Sequence, residues 1–376
     1  MSVYLDYNAT AKVRPEAATA VARTLELGGN PSSVHAAGRA ARAMVEAARA
    51  EVAALVGAKA PSVVFVSGAT EANALAIESA VVAGFERILI GATEHDAVLE
   101  NARVAGLPYE IWPVDGHGVA DLHWLADRLR SGPRALVCLM AANNETGVIQ
   151  PAAEAAALVR AADGWLHVDA VQAAGKIDLD FTALGADTLA LSAHKIGGPQ
   201  GVGALIAGPR ATLSRRLHGG GQERGRRAGA ENVPGIAGFG AAARAAMADL
   251  PNIAAQAAWR DELAATVTRA GAVALGDGAP RLAQTHCFAA PGFASELQVM
   301  GLDLAGVMVS AGAACSSGKV KPSRVIEAMG RPDLAPFAIR VSGGWATTAA
   351  DWARCGAAWT EIFDRHQARR RATVLA

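Results

Sequence analysis

The sequence predicts an α/β fold: a doubly wound, mostly parallel sheet with a smaller α+β domain attached. Three observations lead there. Short apolar runs alternate with helical patterns from Val63 to Ile206, the rhythm of βα units that build a parallel sheet with helices on its faces. The chain has 376 residues and is 52% hydrophobic, enough to bury a substantial core in two domains. Near Leu250-Pro251 the rhythm stops, and an Ala-rich helical stretch ending near Gly271 gives way to shorter strands.

In chain order, Tyr4-Leu5-Asp6-Tyr7-Asn8-Ala9-Thr10 is a short extended segment backed by turn residues. Gly28-Gly29-Asn30-Pro31-Ser32-Ser33 is a turn that leads into a helix cap. The helix is expected from Val34 to about Val56. Val34, Ala37, Ala41, Met44, Ala48, Val52 and Leu55 form its buried stripe, and Arg42, Glu46 and Arg49 fall on the other face. Gly57 ends it. Strands are expected at Val63–Val66, Arg87–Ile90, Tyr109–Trp112, Ala135–Leu139, Leu166–Val168, Thr188–Leu191 and Gly203–Ile206. Helices are expected near Glu71–Ala83, Ala97–Ala105, Asp121–Leu129 and Ala152–Ala162. Beyond residue 250 the strand candidates are Ala272–Leu275, Thr285–Ala289, Val307–Val309 and Ile339–Val341, followed by a helix from Ala349 to about Gln367. The expected division is a large domain at 12–250 and a small one formed by 1–11 and 251–376. The tail with Arg369, Arg370 and Arg371 is expected to be mobile.

Composition narrows the function classes. The formal net charge is zero, which argues against a dedicated nucleic-acid binder. Cys138, Cys287, Cys315 and Cys355 are too few and too scattered for a disulfide framework and lack zinc spacing. The start lacks the basic and apolar regions of a signal peptide, and no apolar run approaches the ~20 residues of a membrane span. The expectation is a cytoplasmic protein with no membrane segment.

Ligands of open α/β sheets bind at the carboxyl ends of the strands, and the chemistry-bearing residues fall there. Asp169 closes the run Trp165-Leu166-His167-Val168, and Gln172 follows. Lys195 lies in Leu191-Ser192-Ala193-His194-Lys195-Ile196-Gly197-Gly198 just before the next strand. A strand-end carboxylate and a lysine in this order suit pyridoxal phosphate: the carboxylate keeps the pyridine nitrogen protonated and the lysine takes the aldehyde. Taken alone, the lysine segment also reads as a solvated loop. A phosphate-cradling loop is a further reading, but the Walker spacing is absent.

The neighbouring loops each carry two readings. Ser67-Gly68-Ala69-Thr70-Glu71 joins a strand to a helix N-terminus, either to hold a phosphate or with Thr70 as simple N-cap. His95 would stack on a cofactor ring and carry a proton, or sit on the surface. Asn144 would direct its amide at the cofactor or the substrate, or belong to a plain turn. Arg340 interrupts an apolar strand and needs an anionic partner, either a substrate carboxylate or a structural carboxylate. Cys315 stands in Ser310-Ala311-Gly312-Ala313-Ala314-Cys315-Ser316-Ser317-Gly318, a run with no bulky side chain. Such a segment has little to bury and suits a nucleophile that must reach two partners, whereas Cys138, Cys287 and Cys355 lie in apolar patterns that bury a thiol.

Together the segments YLDYNAT, NPSSVH, SGATEAN, TEH, NNETGVIQP, HVDAVQ, SAHKIGGPQGVGAL, HGGGQERGRRAG, SAGAACSSGKV and IRVS resemble the cysteine desulfurases of the class V aminotransferase family, in family order over almost the whole chain. The long cysteine loop is similar to that of the nitrogen-fixation and housekeeping iron–sulfur group. The resemblance implies the PLP-dependent aminotransferase fold type I and these roles. Lys195 carries the cofactor as a Schiff base and serves as the Cα base. Asp169 pairs with the pyridine nitrogen, Gln172 bonds the ring hydroxyl, and His95 stacks on the ring. Ala69, Thr70, Ser192 and His194 hold the phosphate, Asn144 and Arg340 fix the substrate, and Cys315 is the nucleophile. It implies release of L-alanine from L-cysteine with a persulfide left on Cys315 for a sulfur-acceptor or scaffold protein. It also implies a homodimer in which the basic loop Gly219–Arg227 reaches the partner's site. Rival readings are a selenocysteine lyase, another class V enzyme using the same cofactor, and a non-catalytic assembly platform, which the presence of Lys195 and Asp169 disfavours.

Two segments depart from the family pattern. Ala230 stands where the family commonly has a threonine that reaches the neighbouring subunit's phosphate. Gly343-Gly344-Trp345-Ala346 replaces the usual Leu-Gly-Arg-Phe and is expected to alter the pocket rim.

Overall fold

The structure, a computed structural model, describes residues 2–312 and 322–375. Its strands are Val3–Tyr4 (β1), Val63–Val66 (β2), Arg87–Gly91 (β3), Tyr109–Trp112 (β4), Ala135–Met140 (β5), Trp165–Asp169 (β6), Thr188–Ser192 (β7), Gly203–Ala207 (β8), Val273–Leu275 (β9), Thr285–Ala289 (β10), Val307–Met308 (β11), Ser310–Ala311 (β12) and Ala338–Ser342 (β13). The helices are Pro15–Leu27 (α1), Ala36–Leu55 (α2), Ala69–Val82 (α3), Asp96–Val104 (α4), Leu122–Arg130 (α5), Ala152–Ala161 (α6), Phe181–Leu184 (α7), Val233–Ala248 (α8), Leu250–Arg269 (α9), Ser295–Leu304 (α10), Arg324–Ala328 (α11) and Ala349–Leu375 (α12).

Seven strands form one sheet in the order β2-β8-β7-β6-β5-β3-β4. Only the pairings of β8 are antiparallel; the others are parallel. Apart from the edge strand β4, whose Tyr109 and Ile111 are exposed, the strands are largely apolar on both faces because both are covered, as a parallel sheet requires. Alternation assigns the faces. Leu89, Val137, Leu139, Leu166, Val168, Leu189 and Leu191 point into the core shared with α2, α6 and α8. Ile88, Ile90, Leu136, Cys138 and Trp165 point the other way, toward Ile77 and Ala80 of α3 and Val98 and Ala102 of α4. The doubly wound reading therefore holds.

A second sheet, β12-β13-β10-β9, is antiparallel. Its core joins Phe288, Ile339 and Val341 to Leu263 of α9 and to Trp352 and Trp359 of α12. Val3 and Leu5 belong to the same core, and β1 pairs with β11 in parallel. The N-terminal segment then crosses between the two sheets. Tyr7 N donates to Ser342 O (3.1 Å), and Ala11 N donates to His194 O (2.9 Å). This crossing carries Asn8 to the end of the large sheet.

Three expectations need correction. Helix α2 starts at Ala36 with His35 as its cap, so Val34 lies outside it and is 87% exposed; Ala37 is also exposed. Arg49, expected on the solvent face, is buried because Glu223 meets it there. The last helix, expected to end about Gln367, runs on to Leu375.

Candidate active site

All the parallel strands end at one edge, and the loops there enclose a cleft of about 490 Å³. Ala69, Thr70, His95, Asn144, Asp169, Gln172, Ser192, His194, Lys195 and Arg340 all line it, so the fold gathers every expected site residue among the described ones. Cys315 lies outside the described residues; Gly312, where the described chain stops before it, lines the same cleft. A larger groove of about 560 Å³ between α1, α2 and α8 contains none of these residues.

The floor is built from β6 and β7. Asp169 ends β6, where Oδ1 accepts from Val171 N (3.0 Å) and Oδ2 accepts from Asn73 Nδ2 (2.9 Å). Lys195 closes a short 3₁₀ turn after β7, and its Nζ donates to Asn8 O (2.7 Å) and Ala9 O (2.9 Å). Gln172 Nε2 donates to the same Asn8 carbonyl (3.0 Å), while Lys176 Nζ donates to Gln172 Oε1 and to Asn8 Oδ1. With Oε1 occupied, the amide of Gln172 is fixed with its nitrogen as donor.

One wall is the N-terminus of α3. Gly68 is the N-cap, so Thr70 is a helical residue rather than the cap, and the cap makes no side-chain hydrogen bond. The first intrahelical donor is Ala72, which bonds Gly68 O (3.1 Å), leaving earlier amides free of intrahelical acceptors. Gly203 of β8 passes close behind: a Cβ there would lie 2.7 Å from Gly68 Cα. Glu71 turns away from the cleft, accepting from Ser67 N (2.7 Å) and pairing with Arg227 (2.9 Å). Burial opposes its ionisation, but the bonds from Arg227 and Ser67 hold its carboxyl below the usual range.

His95 caps α4, its Nδ1 accepting from Ala97 N (3.0 Å), which places the proton of the neutral ring on Nε2. His194 Nδ1 lies 3.1 Å from Thr10 Oγ1. Burial, with Lys195 and Lys176 nearby, pushes His194 down to about 4, so it is a neutral ring at neutral pH. The turn after β5 belongs to Asn143, whose Oδ1 accepts from Glu145 N and Thr146 N (2.9 Å each), which leaves Asn144 on the cleft. Arg340 already has a structural anion: its NH2 group bonds Asp6 Oδ1 (2.6 Å) and its NH1 group bonds Asn144 O (3.1 Å). Its Nε has no hydrogen-bond partner among the described residues.

The remaining cysteines are ordinary core residues. Cys138, Cys287 and Cys355 are buried, and burial raises all three thiols, Cys355 to about 12. Neither departure from the family pattern borders the main cleft. Ala230 lines a separate hollow with Phe65, Gly229 and Glu231, and Asn232 is occupied in capping α8. Gly343-Gly344-Trp345 lies behind Lys195, not on the rim. A Cβ on Gly344 would come within 1.9 Å of the Tyr7 ring, and Trp345 Nε1 donates to Lys12 O (2.8 Å).

Sequence reasoning missed Asn8, Asn73, His167 and Lys176. Asn8 looked like part of an extended lead-in, and its partners lie up to 334 residues away. His167 had a visible signal: a polar ring two residues before Asp169 in an otherwise apolar buried strand shares the carboxylate's face.

The donor set fits pyridoxal phosphate. The cleft offers an amine for the aldehyde, a carboxylate for the pyridine nitrogen and an uncapped helix terminus for a dianion. The class-V aminotransferase profile matches residues 3–354. A cysteine desulfurase of Cereibacter sphaeroides is 45% identical, covering 93% of this chain and 92% of that protein. One from Bradyrhizobium diazoefficiens is 41% identical over 99% of this chain and 97% of that protein. The solved NifS-like protein of Rickettsia africae superposes with a TM-score of 0.88 at 30% identity, covering 97% of this chain and all of that one. With its fold, its strand-end cleft and these relatives in agreement, the chain belongs to the class-V aminotransferase family, among the cysteine desulfurases.

Proposed function

We propose that this chain is a cysteine desulfurase that uses pyridoxal phosphate to remove sulfur from L-cysteine, giving L-alanine and a persulfide on Cys315. The observation that carries the reading is the convergence in one cleft of the Lys195 amine, the Asp169 carboxylate and the uncapped N-terminus of α3. When bound, the cofactor supplies an electron sink for the substrate Cα. The residues of the chain do the rest. Asp169 accepts the ring N–H. Gln172 donates to the ring hydroxyl, its amide orientation set by Lys176. His95 covers one ring face. The first turn of α3, with Ser192 and the neutral His194, takes the phosphate.

Lys195 Nζ, once free, removes the Cα proton and returns a proton later. Asn144 and Arg340 receive the substrate carboxylate, with Asp6 keeping the guanidinium in place. The Cys315 thiolate forms a new bond to the substrate sulfur as the Cβ–S bond breaks. The electron pair of that bond stays with carbon, and one proton completes the alanine methyl group. The persulfide then passes to a sulfur-acceptor or scaffold protein that serves iron–sulfur or other sulfur-containing cofactor assembly. We place the enzyme in the cytoplasm as a homodimer, with residues 12–250 as its large domain and 1–11 with 251–376 as its small one.

Lys195→Ala tests the reading. The parent, loaded with pyridoxal phosphate, is expected to show the visible absorption of the lysine-linked cofactor, to change it on addition of L-cysteine and to release alanine. The variant is expected to lose both the linkage and the turnover. Full turnover by the variant would refute the assignment, and faster alanine release from selenocysteine than from cysteine would redirect the substrate.

A further inference from the structure

Four polar side chains form an ordered line beneath the cleft, in a part of the fold that is otherwise apolar. Strand alternation puts His167 and Asp169 on the same face of β6, and the β6–β7 register sets His167 opposite Thr188. Helix α3 lies on that face and inserts Asn73 between the ring and the carboxylate. The contacts run from Thr188 Oγ1 to His167 Nδ1 (2.8 Å), from His167 Nε2 to Asn73 Oδ1 (2.9 Å) and from Asn73 Nδ2 to Asp169 Oδ2 (2.9 Å). Asn73, His167 and Thr188 are all buried, at 0%, 0% and 2% exposure, so water does not offer substitutes.

The direction of every bond follows from one end. A carboxylate only accepts, so the Asn73 atom facing Asp169 is the NH₂ group. Asn73 therefore turns its carbonyl oxygen to His167, which must carry its proton on Nε2. Nδ1 is then an acceptor and receives the Thr188 hydroxyl. The ring must be neutral for this, since an imidazolium would present a proton on Nδ1 as well. Burial is the main cause that pushes His167 down to about 4, which keeps it neutral near pH 7. Without the His167 donor, nothing on the line would prevent the Asn73 amide from turning and setting its oxygen against the carboxylate.

We infer that Asn73 and His167 are positioning residues that hold Asp169 in place as a hydrogen-bond acceptor for the cofactor's ring nitrogen. The inference rests on the proposed pairing of Asp169 with that nitrogen. Asn73 fills one lone pair of Oδ2 and Val171 N one of Oδ1, which fixes the plane of the carboxylate while its remaining lone pairs serve the cleft. Each link is neutral, so the line delivers no net charge to compete with the ring nitrogen.

The test is the ¹⁵N resonance of pyridoxal phosphate labelled at the ring nitrogen and loaded onto the full-length protein. The parent is expected to give the signal of a protonated nitrogen. In Asn73→Leu, a side chain of similar shape with no donor, Asp169 loses the bond that fixes its plane, and the signal is expected to move toward the unprotonated position. His167→Phe removes the donor that orients Asn73 and is expected to move it the same way, while His167→Gln, which keeps an N–H near the Nε2 position, is expected to restore the parent signal. If Asn73→Leu and His167→Phe bind cofactor with the parent's resonance, the inference is overturned. Should His167→Phe fail to fold, the shape-matched Asn73→Leu decides alone. A parent that takes up no cofactor would instead refute the function proposed above, so the two failures are distinguishable.

Discussion

His286 shows at the scale of one residue how burial sets chemistry in this chain. It is fully buried in β10 and stacked on Phe288 with ring centroids 5.5 Å apart, and its Nε2 has no hydrogen-bond partner among the described residues. Burial, with Arg281 and Arg260 nearby, pushes it down to about 3. Above about pH 6.5 the ring is neutral in folded and unfolded chains alike and is neutral to stability. As pH falls from there toward 3, the unfolded chain takes a proton that the folded chain refuses, and stability is lost at up to about 1.4 kcal/mol per pH unit. His286→Phe removes this linkage. In urea unfolding the variant is expected to gain on the parent steadily as pH is lowered below 6.5; a stability difference independent of pH would contradict the account. The same reasoning explains what was hard to see in the sequence. Lys195, Asp169 and the cleft loops stood out because polar residues gather at strand ends. Asn73 and His167 sit inside buried elements and Lys176 in a buried turn, and each has a partner from a distant part of the chain, so only the folded arrangement gives them a purpose.

At the scale of elements, the strands were legible because each is a short apolar run bounded by turn residues. Tyr109–Trp112 and Thr285–Ala289 fall where periodicity sets them. The face of α2 was less so. Its many alanines define the stripe weakly, and a tertiary partner places Arg49 inside. Arg49 bonds Glu223 through two nitrogens (2.7 and 2.9 Å), and Glu223 Oε2 also accepts from Phe65 N (3.0 Å). Glu223 holds a left-handed backbone, φ 48°, to do so. This joint ties α2 and β2 to the basic loop, whose other arginines are also engaged: Arg227 with Glu71 and Arg226 with Val63 O. Glu223→Ala leaves the buried Arg49 guanidinium with only Glu46 (3.1 Å) and the Val63 carbonyl (3.0 Å) as partners and is expected to cost about 1–3 kcal/mol in urea unfolding. The double variant Arg49→Met with Glu223→Leu is expected to recover much of that loss. A single variant as stable as the parent would show that the pair does not anchor the loop.

At the scale of the whole molecule, two sheets with separate cores meet where the N-terminal segment crosses between them. That crossing sets Asn8 over Lys195 and Asp6 on Arg340, so the groups proposed to hold cofactor and substrate share one support. The architecture was readable from the βα rhythm and its break near residue 250. The crossing was not, because it depends on pairing between the two ends of the chain, such as Val3 with Val307. Among the described residues no helix is long and apolar enough to cross a membrane. The central claim is that sulfur leaves L-cysteine and is carried by one thiol. The most direct measurement is peptide mass spectrometry of the holoenzyme after a short exposure to L-cysteine labelled at sulfur. The prediction is one labelled sulfur atom added to the peptide containing Cys315, alanine released in step with it, and neither addition nor sustained turnover in Cys315→Ser. Label on Cys138, Cys287 or Cys355 instead, or alanine release undiminished in Cys315→Ser, would contradict it.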